Sequence, residues 1–190
     1  MERLNIYKIK EMAVRNKRAV YTVQQLANVI GKSKNITKVY MQRLVQKGLA
    51  TRLIRGKISF IDDDALIASQ LVEPAYISLI SALSFHKLIK QVPKNTECIT
   101  TKNSLQYKNL GITYHKIPPT LFFGYEKYSK NGSYIFVATP EKALIDSVYL
   151  NLISKSTCKE ILEKVDKKNM ESYLSRFKGK GKKKLREWLI

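Results

Sequence analysis

Residues 22–61, TVQQLANVIGKSKNITKVYMQRLVQKGLATRLIRGKISFI, decide how this chain is read. The Thr22 hydroxyl can accept from the amide of Gln25 while the Gln25 side chain reaches back, a reciprocal cap that opens a helix. Val23, Leu26, Ala27 and Ile30 give that helix an apolar stripe, and Gly31 ends it by taking the left-handed conformation other residues resist. After the turn Gly31-Lys32-Ser33 a further helix is predicted over residues 34–47, stopping at Gly48. At about 100° per residue, Tyr40, Met41, Leu44 and Val45 share one side, and Asn35, Lys38, Gln42 and Gln46 the other. Ile36 and Val39 fall toward the polar side, so the separation is imperfect. Residues 49–54 and 57–61 are β-prone runs joined through Arg55-Gly56, where the glycine supplies the positive φ of a tight reversal.

Upstream, residues 2–18 contain no Gly or Pro, and Leu4, Ile6, Ile9, Met12 and Ala13 lie near helical spacing, which predicts a first helix. Helix, helix, turn, helix, basic hairpin is the order of a winged helix-turn-helix, expected over residues 1–61. A plain three-helix domain would not need the hairpin. The polar stripe suits base edges, since Asn and Gln can bond adenine bidentately and Lys can reach guanine or phosphate. The expected DNA contacts are Lys34, Asn35, Lys38, Gln42 and Arg43 in the major groove, with Lys32 and Ser33 on phosphate at the helix start. Arg52, Arg55 and Lys57 would form the wing, on backbone or minor groove.

Charge agrees with that placement. The 190 residues carry 35 Lys and Arg against 15 Asp and Glu, a formal net of +20, and a protein this basic usually faces phosphate. Residues 1–61 hold 14 basic and 2 acidic side chains, residues 62–150 hold 9 and 8, and residues 151–190 hold 12 and 5. The two ends are basic and the middle is ordinary. No stretch approaches the ~20 apolar residues of a membrane span and no signal-like segment opens the chain, so a cytoplasmic location without membrane partners is expected.

Asp62-Asp63-Asp64 marks the expected boundary between the winged helix and a second domain over residues 62–190. Its carboxylates could be metal ligands, but three sequence neighbours cannot all face one ion from a regular element; Asp62 or Asp63 capping a short helix over residues 64–71 is the competing reading. A buried helix is predicted over residues 74–89, then strands over 97–101, 112–117 and 134–138. Thr139 and Pro140 open a helix carrying Ala143, Leu144 and Val148, and Thr157 with Glu160 fit a capping box. The basic stretch 178–184, closing on Leu185, Trp188 and Leu189, reads either as a solvated tail with an aromatic anchor or as a further phosphate contact. The fold class is therefore α+β: a winged helix-turn-helix, a small mixed α/β domain and a helical C-terminus.

No phosphate-cradling glycine loop, dinucleotide fingerprint, nucleophile elbow or zinc-protease helix is present, so no cofactor, metal or enzymatic activity is expected. Cys98 and Cys158 read as packing residues. Cys98 and His115 could form a dyad only by meeting in space, and a structural or exposed histidine is the favoured reading for both His86, in a predicted helix, and His115, in a predicted strand. Phe122, Phe123, Tyr125 and Tyr128 form an aromatic cluster, with core the favoured place for the Phe pair over a contact surface.

Three segments carry a family likeness. They are Tyr76-Ile77-Ser78-Leu79-Ile80-Ser81-Ala82-Leu83 with His86, Ile117-Pro118-Pro119-Thr120-Leu121-Phe122-Phe123-Gly124-Tyr125, and Ala138-Thr139-Pro140-Glu141-Lys142-Ala143-Leu144-Ile145-Asp146. In order and spacing they resemble the AbiEi-type antitoxin family of transcriptional regulators, the P-E-K-A-L-x-D run being the most specific. The resemblance implies a two-domain antitoxin and autorepressor that binds operator repeats in double-stranded DNA. It also implies functional pairing, without a stable complex, with a nucleotidyltransferase-like toxin encoded alongside. The long basic C-terminus departs from that pattern. Glu141 and Asp146 read as helix-dipole compensation and a salt link to a Lys, against a direct role in toxin control. A solitary winged-helix regulator, or an interaction module for protein or RNA, would share these features.

Overall fold

The computed structural model describes residues 4–190, leaving aside the side chains of residues 180–182. The chain is mixed α/β and divides into two compact units, residues 1–71 with 129–135, and residues 72–128 with 136–190.

The first unit opens with α1, Ile6–Arg15, capped by the Asn5 carboxamide, which accepts from the amides of Tyr7 and Lys8. The part of the expected first helix before Leu4 lies outside the described residues, and its far end comes at Arg15, two residues before Lys17 takes a positive φ of 55°. A strand that periodicity did not signal follows, β1, Val20–Thr22. Then come α2, Val23–Ile30, and α3, Lys34–Gln46. The reciprocal Thr22 and Gln25 cap is formed and Gly31 sits at φ 63°. Strands β2, Thr51–Ile54, and β3, Lys57–Ser59, turn about Gly56 at φ 77°, and β1 pairs with the far edge of β3 to give the order β1-β3-β2.

Ile9, Ala13, Tyr21, Leu26, Ile30, Met41, Leu44 and Ile58 make this unit's core. The Tyr21 hydroxyl donates to the Ala13 carbonyl at 2.6 Å, and burial pushes its pKa up to about 12. The helix α4, Asp64–Leu71, also belongs here, so the unit extends past the boundary expected at Asp62. Asp63 accepts from the Leu66 amide as a cap and from Lys130 at 3.0 Å, which answers the Asp triplet with capping and an ion pair. Gln70 stitches the unit together: its carbonyl accepts from the Ala19 amide, and its amide donates to Ser133 Oγ and the Tyr134 carbonyl.

The second unit is built on a six-stranded sheet of order β6-β7-β5-β4-β9-β8. Its strands are β4 (Ala75–Ile77), β5 (Thr96–Thr100), β6 (Leu105–Tyr107), β7 (Ile112–Lys116), β8 (Tyr125–Lys130) and β9 (Ser133–Ala138). The ends of β8 and β9 within residues 129–135 cluster with the first unit. The helix expected from residue 74 is replaced at its start by β4, because Ala75, Tyr76 and Ile77 are buried on both faces, paired antiparallel with β5 and parallel with β9. Only α5, Leu79–Phe85, remains helical of that segment. The helix α6, Pro140–Tyr149, is buried from Glu141 through Val148. Three helices close the chain: α7 (Lys155–Leu162), α8 (Lys167–Leu174) and α9 (Gly179–Leu189). The cap of α7 is Ser154, whose hydroxyl accepts from the Thr157 amide, in place of the expected Thr157 and Glu160 box. The terminal basic stretch is helical, with Leu185 and Leu189 buried.

Candidate nucleic-acid interface

α3 buries Met41 and Leu44 and leaves Asn35, Lys38, Gln42 and Gln46 exposed, as the periodicity predicts, while Tyr40 and Val45 are half-buried, Thr37 is also buried and Arg43 is exposed. Ser33 caps it, its hydroxyl accepting from the Ile36 amide at 3.4 Å and its carbonyl from the Thr37 hydroxyl at 2.8 Å. The helix therefore starts with its free amides toward solvent beside exposed Lys32 and Lys34.

Alongside α3 runs a groove of about 340 Å³ lined by Lys38 and Gln42 from the helix and Arg52, Arg55, Gly56 and Lys57 from the β2–β3 hairpin, floored by Met41 and Ile58. Five of the ten residues singled out in the sequence thus share one concavity. Lys32, Ser33, Lys34, Asn35 and Arg43 lie outside it, all exposed.

Lys57 differs from the other cations. It is half-buried, and its ammonium donates to the Leu71 carbonyl at the end of α4. Lys32, Lys34, Lys38, Arg43, Arg52 and Arg55 form no ion pair among the described residues, whereas Lys8 and Arg15 on α1 both meet Glu11.

The second unit holds a different kind of cluster, in which the three segments behind the family likeness converge. Lys142 is fully buried and its ammonium bonds Asp146 Oδ1, one helical turn on. Asp146 Oδ2 accepts from the Tyr76 hydroxyl at 3.0 Å and from Ser78 Oγ at 2.8 Å. The ammonium lies 5.0 Å from the Phe123 ring centre, and Tyr125 stacks on Tyr76 with centroids 4.8 Å apart. Gly124 allows this approach: a Cβ there would stand 3.0 Å from Lys142 Cγ. Glu141 accepts from the Asp166 amide at 3.0 Å. Every polar group of the motif is thus engaged inside the protein.

Cys98 pairs with Tyr114 across β5 and β7, which sends His115, the next residue, to the opposite face of the sheet. Burial pushes the Cys98 thiol far above its ordinary value, and His115 meets Glu97 at 3.3 Å, so the dyad does not assemble. His86 is likewise engaged, with the Ala138 carbonyl at 2.8 Å. Among the described residues no helix is long and apolar enough to cross a membrane.

Neither a scan against protein-family models nor a search of the curated proteins returns a match for this chain.

Proposed function

We propose that the first unit is a winged helix-turn-helix that binds double-stranded DNA, and that the protein is a sequence-specific autorepressor and antitoxin of the AbiEi type. The observation that carries the DNA reading is the groove where Lys38 and Gln42 of α3 meet Arg52 and Arg55 of the hairpin, none of these cations held by a carboxylate among the described residues. An exposed polar helix face of this width enters a major groove, and a cationic hairpin beside it reaches the flanking backbone or minor groove. Asn35, Lys38, Gln42 and Arg43 supply base-edge chemistry. Lys34 enters the groove with them, and Lys32 and Ser33 meet phosphate at the start of α3, where the helix dipole favours an anion. Lys57 serves this surface from behind, tying the hairpin to α4.

The antitoxin part rests on the resemblance, supported by the meeting of its three segments in one buried network. Because that network is inaccessible, Glu141, Lys142 and Asp146 act as its scaffold rather than as groups touching a toxin. The proposal contains no catalytic step, cofactor or metal.

Equilibrium binding of the full chain to its own upstream region, to random duplex and to tRNA across a salt series tests the DNA reading. Preference for the upstream duplex, with affinity falling steeply in salt, is the expected result. Preference for tRNA, or no duplex binding, would replace it with an RNA or protein interaction module. Co-expression with a nucleotidyltransferase-like protein from the adjacent reading frame tests the antitoxin part: restored growth supports it, and unrelieved toxicity leaves a solitary regulator.

A further inference from the structure

The face that α3 presents is not purely polar. Ile36 and Val39 are each 48% exposed, on a helix whose other apolar residues are wholly or partly buried. With 3.6 residues per turn, Val39 falls about 40° from both Asn35 and Arg43 and about 20° from Gln46, which puts it at mid-face, while Lys38 lies toward the hairpin groove. Ile36 lies on the other flank, about 20° from Arg43. An exposed β-branched side chain at mid-face adds nothing to the unit's own core. Being stiff about χ1 in a helix, it also loses little freedom when covered.

We propose that Val39, flanked by Ile36, reads thymine C5-methyl groups in the major groove, so that the preferred duplex carries thymine opposite the middle of α3. This rests on the DNA-binding reading and deepens it. Asn35 and Gln42, about 40° and 60° from Val39 on the side toward the hairpin groove, have the donor and acceptor pair that adenine matches. The chemistry of the face therefore favours A·T pairs at its centre: amides for adenine edges, a branched apolar group for the thymine methyl. Lys38, toward the hairpin groove, and Arg43, between Val39 and Ile36, are left for guanine or phosphate.

The test crosses two proteins with two duplexes. Duplexes enriched from a random pool by the full-length chain are remade with deoxyuridine in place of each thymine in turn, which removes only the methyl group. The wild-type chain is expected to lose about fourfold in affinity at one or two positions, the worth of one buried methyl group. Val39→Ala, an exposed substitution that leaves the core intact, is expected to bind more weakly and to bind the thymine and deoxyuridine duplexes equally well. Val39→Ile, which keeps the branched surface, should retain the thymine preference. An enriched duplex whose affinity ignores deoxyuridine everywhere, or a deoxyuridine penalty of the same size in Val39→Ala, would overturn the role of Val39 and leave DNA binding standing. Failure to enrich any duplex would overturn both.

Discussion

Removing the Asp146 charge while keeping its shape separates a scaffold from a reactive site. In Asp146→Asn the amide oxygen can still accept from Tyr76 and Ser78, but the Lys142 ammonium, 0% exposed, loses the carboxylate it is paired with. Breaking a buried pair by removing one partner costs about 3–5 kcal/mol, most of it the desolvation of the charge left behind. A domain's whole stability is about 5–15 kcal/mol, so the loss is a large share of what holds the second unit together. With a urea slope of about 2 kcal/mol/M, the midpoint falls by about 2 M. Lys142→Met leaves a carboxylate still bonded by two hydroxyls and is expected to cost less. The double variant Lys142→Met/Asp146→Asn has no orphan charge and an intact acceptor, so it should be more stable than Asp146→Asn alone. Urea unfolding of the four proteins, followed by far-UV circular dichroism, gives the cycle. If the two substitutions add without compensation, the ion pair is not what makes Asp146 costly to change, and the scaffold argument fails.

Lys38→Ala and Gln42→Ala should each lower preference for the enriched duplex by about 1–3 kcal/mol. Arg55→Ala should weaken specific and random duplex alike and flatten the salt slope by about one unit, and equal loss from all three at every salt would undo the division of roles. At Asp63, burial works against the charged form, but the Lys130 ammonium and the Leu66 and Ala65 amides outweigh it and hold the carboxyl below its ordinary value. Its contribution is therefore full above about pH 4 and lost as pH falls through the lower folded value, so the stability gap between wild type and Asp63→Asn should shrink toward acid. Gly31→Ala meets nothing within 4 Å and should cost only the backbone strain of φ 63°, about 1–2 kcal/mol. Gly124→Ala must also displace Lys142 and Tyr173, so it should cost about 1–3 kcal/mol more by thermal unfolding.

What the sequence made legible was local. The Thr22 and Gln25 cap, the Gly31 stop and the Gly56 reversal are each encoded within a few residues, and each is found where periodicity put it. β1 was invisible because three residues become a strand only by pairing with Lys57–Ser59, far downstream. Periodicity places Tyr76 and Ile77 in a helix because a strand buried on both faces has no alternation to reveal it, and its partners are Ile99, Cys98 and Val137. Residues 129–135 cluster with the first unit through Gln70, Asp63 and Lys17, contacts no local pattern announces. The α3 face was legible as a stripe, but periodicity alone did not show how far Ile36 and Val39 would be exposed.

The lysines show why composition overstates what a phosphate would meet. Formal charge counts Lys57 and Lys142 like any other, yet one donates to the Leu71 carbonyl and the other is sealed against Asp146. Lys130 is spent on Asp63, and Lys8 and Arg15 share Glu11. Removing such residues should change stability first and DNA affinity second. What distinguishes α3 and the hairpin tip is then not the number of cations but how they are paired: Lys32, Lys34, Lys38, Arg43, Arg52 and Arg55 are exposed and, among the described residues, meet no carboxylate. A protein would reduce that repulsion with acidic neighbours, as α1 does, unless a ligand supplied the negative charge. Two exposed branched apolar residues among those cations point the same way, because a small ion could use the charge but not the methyl groups. A nucleic-acid groove offers phosphate at its edges and thymine methyls on its floor, so the proposed DNA reading accounts for both features of this surface at once.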